Sequence, residues 1–334
     1  MRNINSLLEK IEGRVAAHRV APGEYVRFLW QHPAGGRSMG VNAYGCADAA
    51  NLLYTLGKFP KDEAERAASV RALQAFQSPK TGLFTEGSHH VVHTTAHCIA
   101  ALELFEARPL YPLHDLMKYR DIEIFFREME EAEWLKRGRM AHFGAGLFAS
   151  MVITETVDDA WIDRYFAWYD KCCSPDTGMW MKPPVEDFPR RLQIGDAFHF
   201  LFNYEHRHHP IPYPERLIDS CLSTYREGMY TEGNLRPLFG RQFHFIEVDW
   251  VYCLNRATRQ TPHRFAEVKE TLASFADGYL DYLEGVDFET DDGANDLHLL
   301  FGATSCLAEL QAALPGYLYS TKPLRLTLDR RPFI

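Results

Sequence analysis

The chain has 334 residues, 46% hydrophobic, 13% aromatic and 24% charged, a globular composition that sets disorder aside and can bury a large core. A formal net charge of −9 without long Lys/Arg clusters excludes a phosphate-backbone partner, so no nucleic acid is expected. The start MRNINSLLEKIEG lacks a signal-peptide pattern and no apolar run reaches about 18 residues, so no membrane span is expected and the location is read as cytoplasmic.

The seven cysteines lie singly or adjacent without a CxxC pair, and free buried thiols are expected. No Gly/Ser linker or low-complexity tract interrupts the chain, so one continuous domain over 1–334 is expected.

The organising signal is a repeat. SPKTGLFTE at 78–86 returns as SPDTGMWMK at 174–182, with Gly82 and Gly178 in register 96 positions apart. A weaker copy, REGMYTEG, places Gly228 another 50 along, giving a period of roughly 48 to 50 residues. Six turn sites follow, each succeeded by a stretch of helical periodicity that is apolar nearly all round. In chain order these are AYGCADAANLLYTL from 43, HHVVHTTAHCIAALELF from 89, AHFGAGLFASMVIT from 141, RRLQIGDAFHFLFNYE from 190, RQFHFIEVDWVYCLNRA from 241 and ANDLHLLFGATSCLAEL from 294. Helices with one wet face alternate with them, at about 62, 159, 215 and 263. The pattern predicts an all-α fold, an (α/α)6 toroid of inner and outer helices. The alternative is an open solenoid of helix pairs.

TGLFTEG followed by HTTAHCIAALELF, and TGMWMKPP followed by QIGDAFHFLF, resemble the α/α-toroid superfamilies. These comprise terpenoid cyclases and protein prenyltransferase β-subunits on one side, six-hairpin glycosidases and sugar epimerases on the other. Fold is implied more strongly than function.

Polar residues crowd at the starts of the buried helices, where an apolar barrel gains nothing from them unless they are paired or functional. Parallel inner helices bring these starts to one mouth, a funnel with convergent polar groups. Acid/base candidates are His93, Asp196, His244, Asp249 and Asp292. Candidate substrate contacts are Glu86, His97, Arg190, Gln193, His199 and Asp296, with Phe84, Trp180, Tyr230 and Trp250 as aromatic walls. His93 and His97, four apart, share a helix face and suit a metal or a proton-transfer pair.

Two chemistries compete. Glycoside hydrolysis needs two carboxyls across a funnel, and epimerisation needs a proton-transfer pair, for which His93, His97, His199 and His244 are available. The leading expectation is thus a carbohydrate-active enzyme of glycosidase, lyase or epimerase type with no cofactor and a small sugar substrate. The second comes from resemblance: GRQFHFIEVDWVYC and ANDLHLLFGATSCLAEL look like the last repeats of protein prenyltransferase β-subunits, which implies zinc at Asp249, Cys253 and His298. The family's Cys lies two residues after its Asp, where Val251 stands here; Cys253, four along, still shares the helix face. No DxDD string of the alkene-protonating cyclases is present. A non-catalytic ligand-binding toroid is the third reading.

Overall fold

In a computed structural model the structure describes residues 1–132, 140–180, 190–228 and 239–334, with only the backbone of Arg190 and Arg191. Six buried helices appear where the repeat requires them: α2 (Ala43–Thr55), α4 (Val91–Leu104), α6 (Met140–Ile153), α8 (Arg190–His206), α10 (Phe245–Thr258) and α12 (Leu297–Ala313). Between them lie α1 (Asn5–Ala17), α3 (Glu63–Gln74), α5 (Ile122–Glu131), α7 (Asp159–Cys172), α9 (Pro214–Arg226) and α11 (Phe265–Gly285), with burial confined to one face of each. The all-α class expected from periodicity is the class observed.

Helix packing runs in a closed circuit. α2 packs on α4, α4 on α6, α6 on α8, α8 on α10, α10 on α12, and α12 returns to α2. That return distinguishes a ring from an open solenoid, whose first and last units do not meet. α2, α4, α6 and α12 are able to face both the lumen and an outer layer because Ala, Gly and apolar residues cover most of their surface. α3 lies against α2 and α4, α9 against α8 and α10, and α11 against α10 and α12.

The repeated turn has a physical cause. In both copies the Gly N–H reaches back to the Ser carbonyl, 2.8 Å for Gly82 to Ser78 and for Gly178 to Ser174. The Ser N–H in turn reaches the residue after Gly, 2.9 Å for Ser78 to Leu83 and for Ser174 to Met179. Gly82 and Gly178 adopt φ of +76° and +70°, a region a side chain resists. A Cβ would also strike the next hairpin, at Pro112 O for Gly82 and at Leu217 N for Gly178.

Two two-stranded sheets complete the described architecture. β1 (Arg2–Asn3) pairs in parallel with β4 (Leu318–Tyr319), and β2 (Arg19–Ala21) in antiparallel with β3 (Glu24–Tyr25). After β4 the chain crosses the ends of the ring helices at which their carbonyls point outward. Arg325 N–H donates to Thr55 O at 2.9 Å, Asp329 pairs with Arg256, and Asn203 Nδ2 donates to Pro332 O at 2.9 Å. Phe333 and Ile334 then enter the lumen and are fully buried. No helix among the described residues is long and apolar enough to cross a membrane.

Candidate functional site

The ring helices run parallel, so their first turns meet at the end opposite the tail. α2, α10 and α12 open on Asn42, His244 and Asp296, whose side chains accept from the N–H groups of Gly45, Ile246 and His298, and His90 does the same for Val92 at α4. Polar residues are therefore needed here simply to cap helices. Beyond the caps, α4, α6, α8, α10 and α12 together enclose a cavity of about 280 Å³ with Ile334 as its floor. Its wall carries His89, His93, His142, His199, His244 and His298, with Asp196, Asp249 and Arg27. Leu192, on its edge, is exposed.

Two histidine groups lie one above the other. In the upper group, His93, His142 and His199 hold ligand-capable nitrogens within 4.8 Å of one another. His199 Nδ1 donates to Gly195 O at 2.7 Å, which leaves Nε2 without a proton in the neutral ring. That Nε2 lies 3.3 Å from His93 Nε2, and His93 Nδ1 lies 2.8 Å from the Tyr44 hydroxyl. Burial, then the neighbouring histidines, pushes His93 well below its usual range. Burial lowers His199 to about 4, against the Gly195 bond that favours its proton. Both rings are neutral at pH 7.

The lower group is a buried triad. His97 Nε2 and His298 Nδ1 both reach Asp48 Oδ1 at 3.0 Å, and His97 Nδ1 reaches the backbone oxygen of Ile334 at 2.6 Å. Burial pushes Asp48 up, but His298 and His97 outweigh it and hold the carboxylate well below the ordinary range. Burial, opposed by Asp48, lowers His298. The two shifts pull in opposite senses for one hydrogen bond; the geometry favours an ionised Asp48 accepting from a neutral His298 N–H. Tyr44 joins the groups, its ring 4.8 Å from His97 and 4.9 Å from His298.

The carboxyls behave differently. Burial pushes Asp196 up to about 7 although its side chain keeps some solvent contact. Asp249 is raised further, by burial first and then by Glu247 and Asp196. Asp249 Oδ2 lies against Gly195, beside Asp196. Among the described residues Asp249 Oδ1 has no hydrogen-bond partner. Two carboxyls on adjoining helices, neither comfortable as an anion, thus share one wall.

Several expected site residues fall elsewhere. Asp292 is exposed and doubly bonded to Arg37, at 2.8 and 2.6 Å, off the cavity. Asp296 is bound bidentately by Arg27 at 2.8 and 2.9 Å, and Glu86 stands 3.6 Å from the same guanidinium. Their charge is spent on fixing the loop before α2. The aromatic walls are packing instead: Phe84 donates its backbone N–H to Thr95, Trp180 lies among Phe200 and Tyr204, and Trp250 among Tyr225 and Phe275. All three are fully buried: the turn directs Phe84 and Trp180 into the seam between hairpins, and Trp250 packs from within α10. Gln193 is buried and does not border the cavity, and His97 belongs to the lower triad. Tyr230 and the side chain of Arg190 lie outside the described residues.

Asp249, Cys253 and His298 do not form a ligand set among the described residues. Cys253 directs its sulfur to Ile194 O at 3.8 Å, one helix turn below the carboxyl. Sequence reasoning passed over Arg27, Tyr44, Asp48 and His142. Asp48 and His142 were visible as lone polar residues in AYGCADAA and AHFGAGLF, helices otherwise without charge. Larger depressions, of about 670, 640 and 510 Å³, lie away from this cavity. In the first, Lys118 and Tyr119 are already bonded to Glu128.

Comparison with protein-family models, with curated proteins and with solved structures returns no match.

Proposed function

We propose that the protein is an enzyme that removes and returns a proton on a single sugar-sized, uncharged polyhydroxylated substrate held in the ring cavity, with Asp196 and Asp249 as the acid/base pair. One observation carries this reading: the two carboxyls share one cavity wall, where burial pushes Asp196 up to about 7 and Asp249 well above the ordinary carboxylate range. Such a pair holds a proton that it can give and an ionised form that can take one, which is what acid/base work near pH 7 asks for.

Size and charge narrow the substrate. About 280 Å³ stands at the lower edge of ligand pockets, roughly 300–1,000 Å³, and suits one sugar ring better than a chain. This favours isomerisation or epimerisation over hydrolysis of a polymer. Among the described lining residues the cation is Arg27, and it is committed to Asp296, so that part of the wall offers hydroxyl partners rather than an anion clamp. His298, whose Nδ1 is on Asp48, borders the cavity and supplies one such partner.

The test is solvent exchange. Incubating the protein in D2O with a panel of aldoses, ketoses and N-acyl hexosamines should place deuterium on carbon in one class of sugar, read by NMR. Asp196→Asn and Asp249→Asn should each reduce the rate by at least about 100-fold. Exchange that survives both substitutions would dispose of the assignment.

A further inference from the structure

The structure assigns a divalent transition-metal site, zinc by preference, to His93, His142 and His199, with its fourth position open to the cavity. It stands apart from the choice of acid and base above, since metal uptake needs no substrate; only its catalytic use rests on that reading.

The argument begins with a distance. Two imidazole nitrogens bound to one tetrahedral zinc at about 2.05 Å lie about 3.3–3.4 Å apart. His93 Nε2 and His199 Nε2 are 3.3 Å apart. The third ring, on the adjoining helix, places its nitrogen within 4.8 Å of both. Closing it onto the ion asks for no more than about 1.5 Å of movement.

The outer contacts point the same way. A metal-binding histidine donates its other N–H to a carbonyl, carboxylate or hydroxyl that sets its tautomer and orientation. His199 does this to Gly195 O at 2.7 Å, and His93 has the Tyr44 hydroxyl at 2.8 Å. Both arrangements leave Nε2 as the ligand atom. The three rings come from α4, α6 and α8, three consecutive members of the ring, so the set is held by packed helices rather than by a loop. All three border the cavity, which leaves a coordination position for water or a substrate oxygen, as in catalytic zinc sites. Three nitrogen donors select zinc, cobalt, nickel or copper over magnesium or calcium.

The lower triad is the rival. There His97 Nε2 and His298 Nδ1 already sit at hydrogen-bond length on one oxygen of Asp48, and His97 Nδ1 is on Ile334. Both nitrogens of His97 and Nδ1 of His298 are thus occupied, and Asp48 and His97 are sealed from the cavity.

The full chain, stripped with a chelator and dialysed, is titrated with Zn2+ against a chromophoric competitor, and with Co2+ read by its visible absorption. One equivalent should bind, and cobalt should give the intense bands of a tetrahedral nitrogen site. His93→Ala, His142→Ala and His199→Ala should each weaken zinc binding by at least about 100-fold, and Tyr44→Phe by roughly 10-fold as an outer contact. His298→Gln should leave binding within about 3-fold, as expected of a residue outside the site. Melting curves in chelator show which variants fold. The absence of saturable uptake by the unsubstituted chain would overturn the assignment without any variant. So would a loss confined to His298→Gln while folded His142→Ala still binds.

Discussion

Substituting Asp196 by Asn should stabilise the protein, and increasingly so as pH rises. Burial moves the carboxyl from 3.8 to about 7, so the folded state holds this proton more tightly than the unfolded chain. Between those values the folded protein binds more protons, and stability falls as pH rises through the window, levelling off above 7. At 1.36 kcal/mol per unit, ionising the side chain costs the fold about 4 kcal/mol by pH 8, of which about two-fifths is already present at pH 5. Because Asp196 keeps some contact with solvent, about half of this is the safer expectation. Asn carries no such penalty at any pH. Urea unfolding with chelator present, at pH 5 and pH 8, should show the advantage of Asp196→Asn widening by about 1–3 kcal/mol with unchanged m-values. A gap that stays level or narrows would mean that the carboxyl is not held protonated by its surroundings. Paired with loss of exchange activity, the gain would mark a group kept for function at the expense of stability.

The lower triad has the opposite sign. Asp48 is held below its usual range, so its contribution is complete above about pH 4 and fades as pH falls through the lower, folded value; Asp48→Asn should cost about 3–5 kcal/mol at pH 7 and much less in acid, read by denaturant melts. Arg256, fully buried, binds Glu309 through two 2.7 Å hydrogen bonds. Arg256→Ala should lose about 3–5 kcal/mol, whereas Arg256→Met with Glu309→Leu should recover most of it. Gly82→Ala should lower the melting temperature far more than Gly35→Ala. Their φ values are +76° and +75° and carry the same strain of about 1–2 kcal/mol, but only Gly82 would drive a Cβ into Pro112 O.

The all-α class and the placing of the buried helices were legible because both rest on local signals. Apolar coverage on every face marked the ring helices, and a glycine the turn cannot replace marked Gly82 and Gly178. The gathering of polar residues at one mouth was legible too: Asp196, Asp249, His93, His199 and His244 all reach the cavity. Which polar residues are free was not legible, because that depends on partners far away in sequence. Asp292 and Asp296 share one acidic string, yet Arg37 takes the first and Arg27 the second. Nothing in the spacing distinguishes them from Asp249. The aromatics of the TG turns misled for a related reason: the same turn geometry serves a wall or a seam, and only the neighbouring hairpin decides.

The tail shows why the closed end of the ring was beyond reach of periodicity. Six helices around a ring leave a lumen that must be filled to interior density or be left as cavity. Residues 327–334 carry no repeat, yet Phe333 packs edge-on to His93 and Ile334 receives His97. By filling the lumen from the carbonyl ends of the helices, they turn a channel into a blind pocket, and they fix its depth at the level of the histidines. A polymer could thread an open ring but not this one. The inference of a small substrate therefore rests on two residues that no motif singled out.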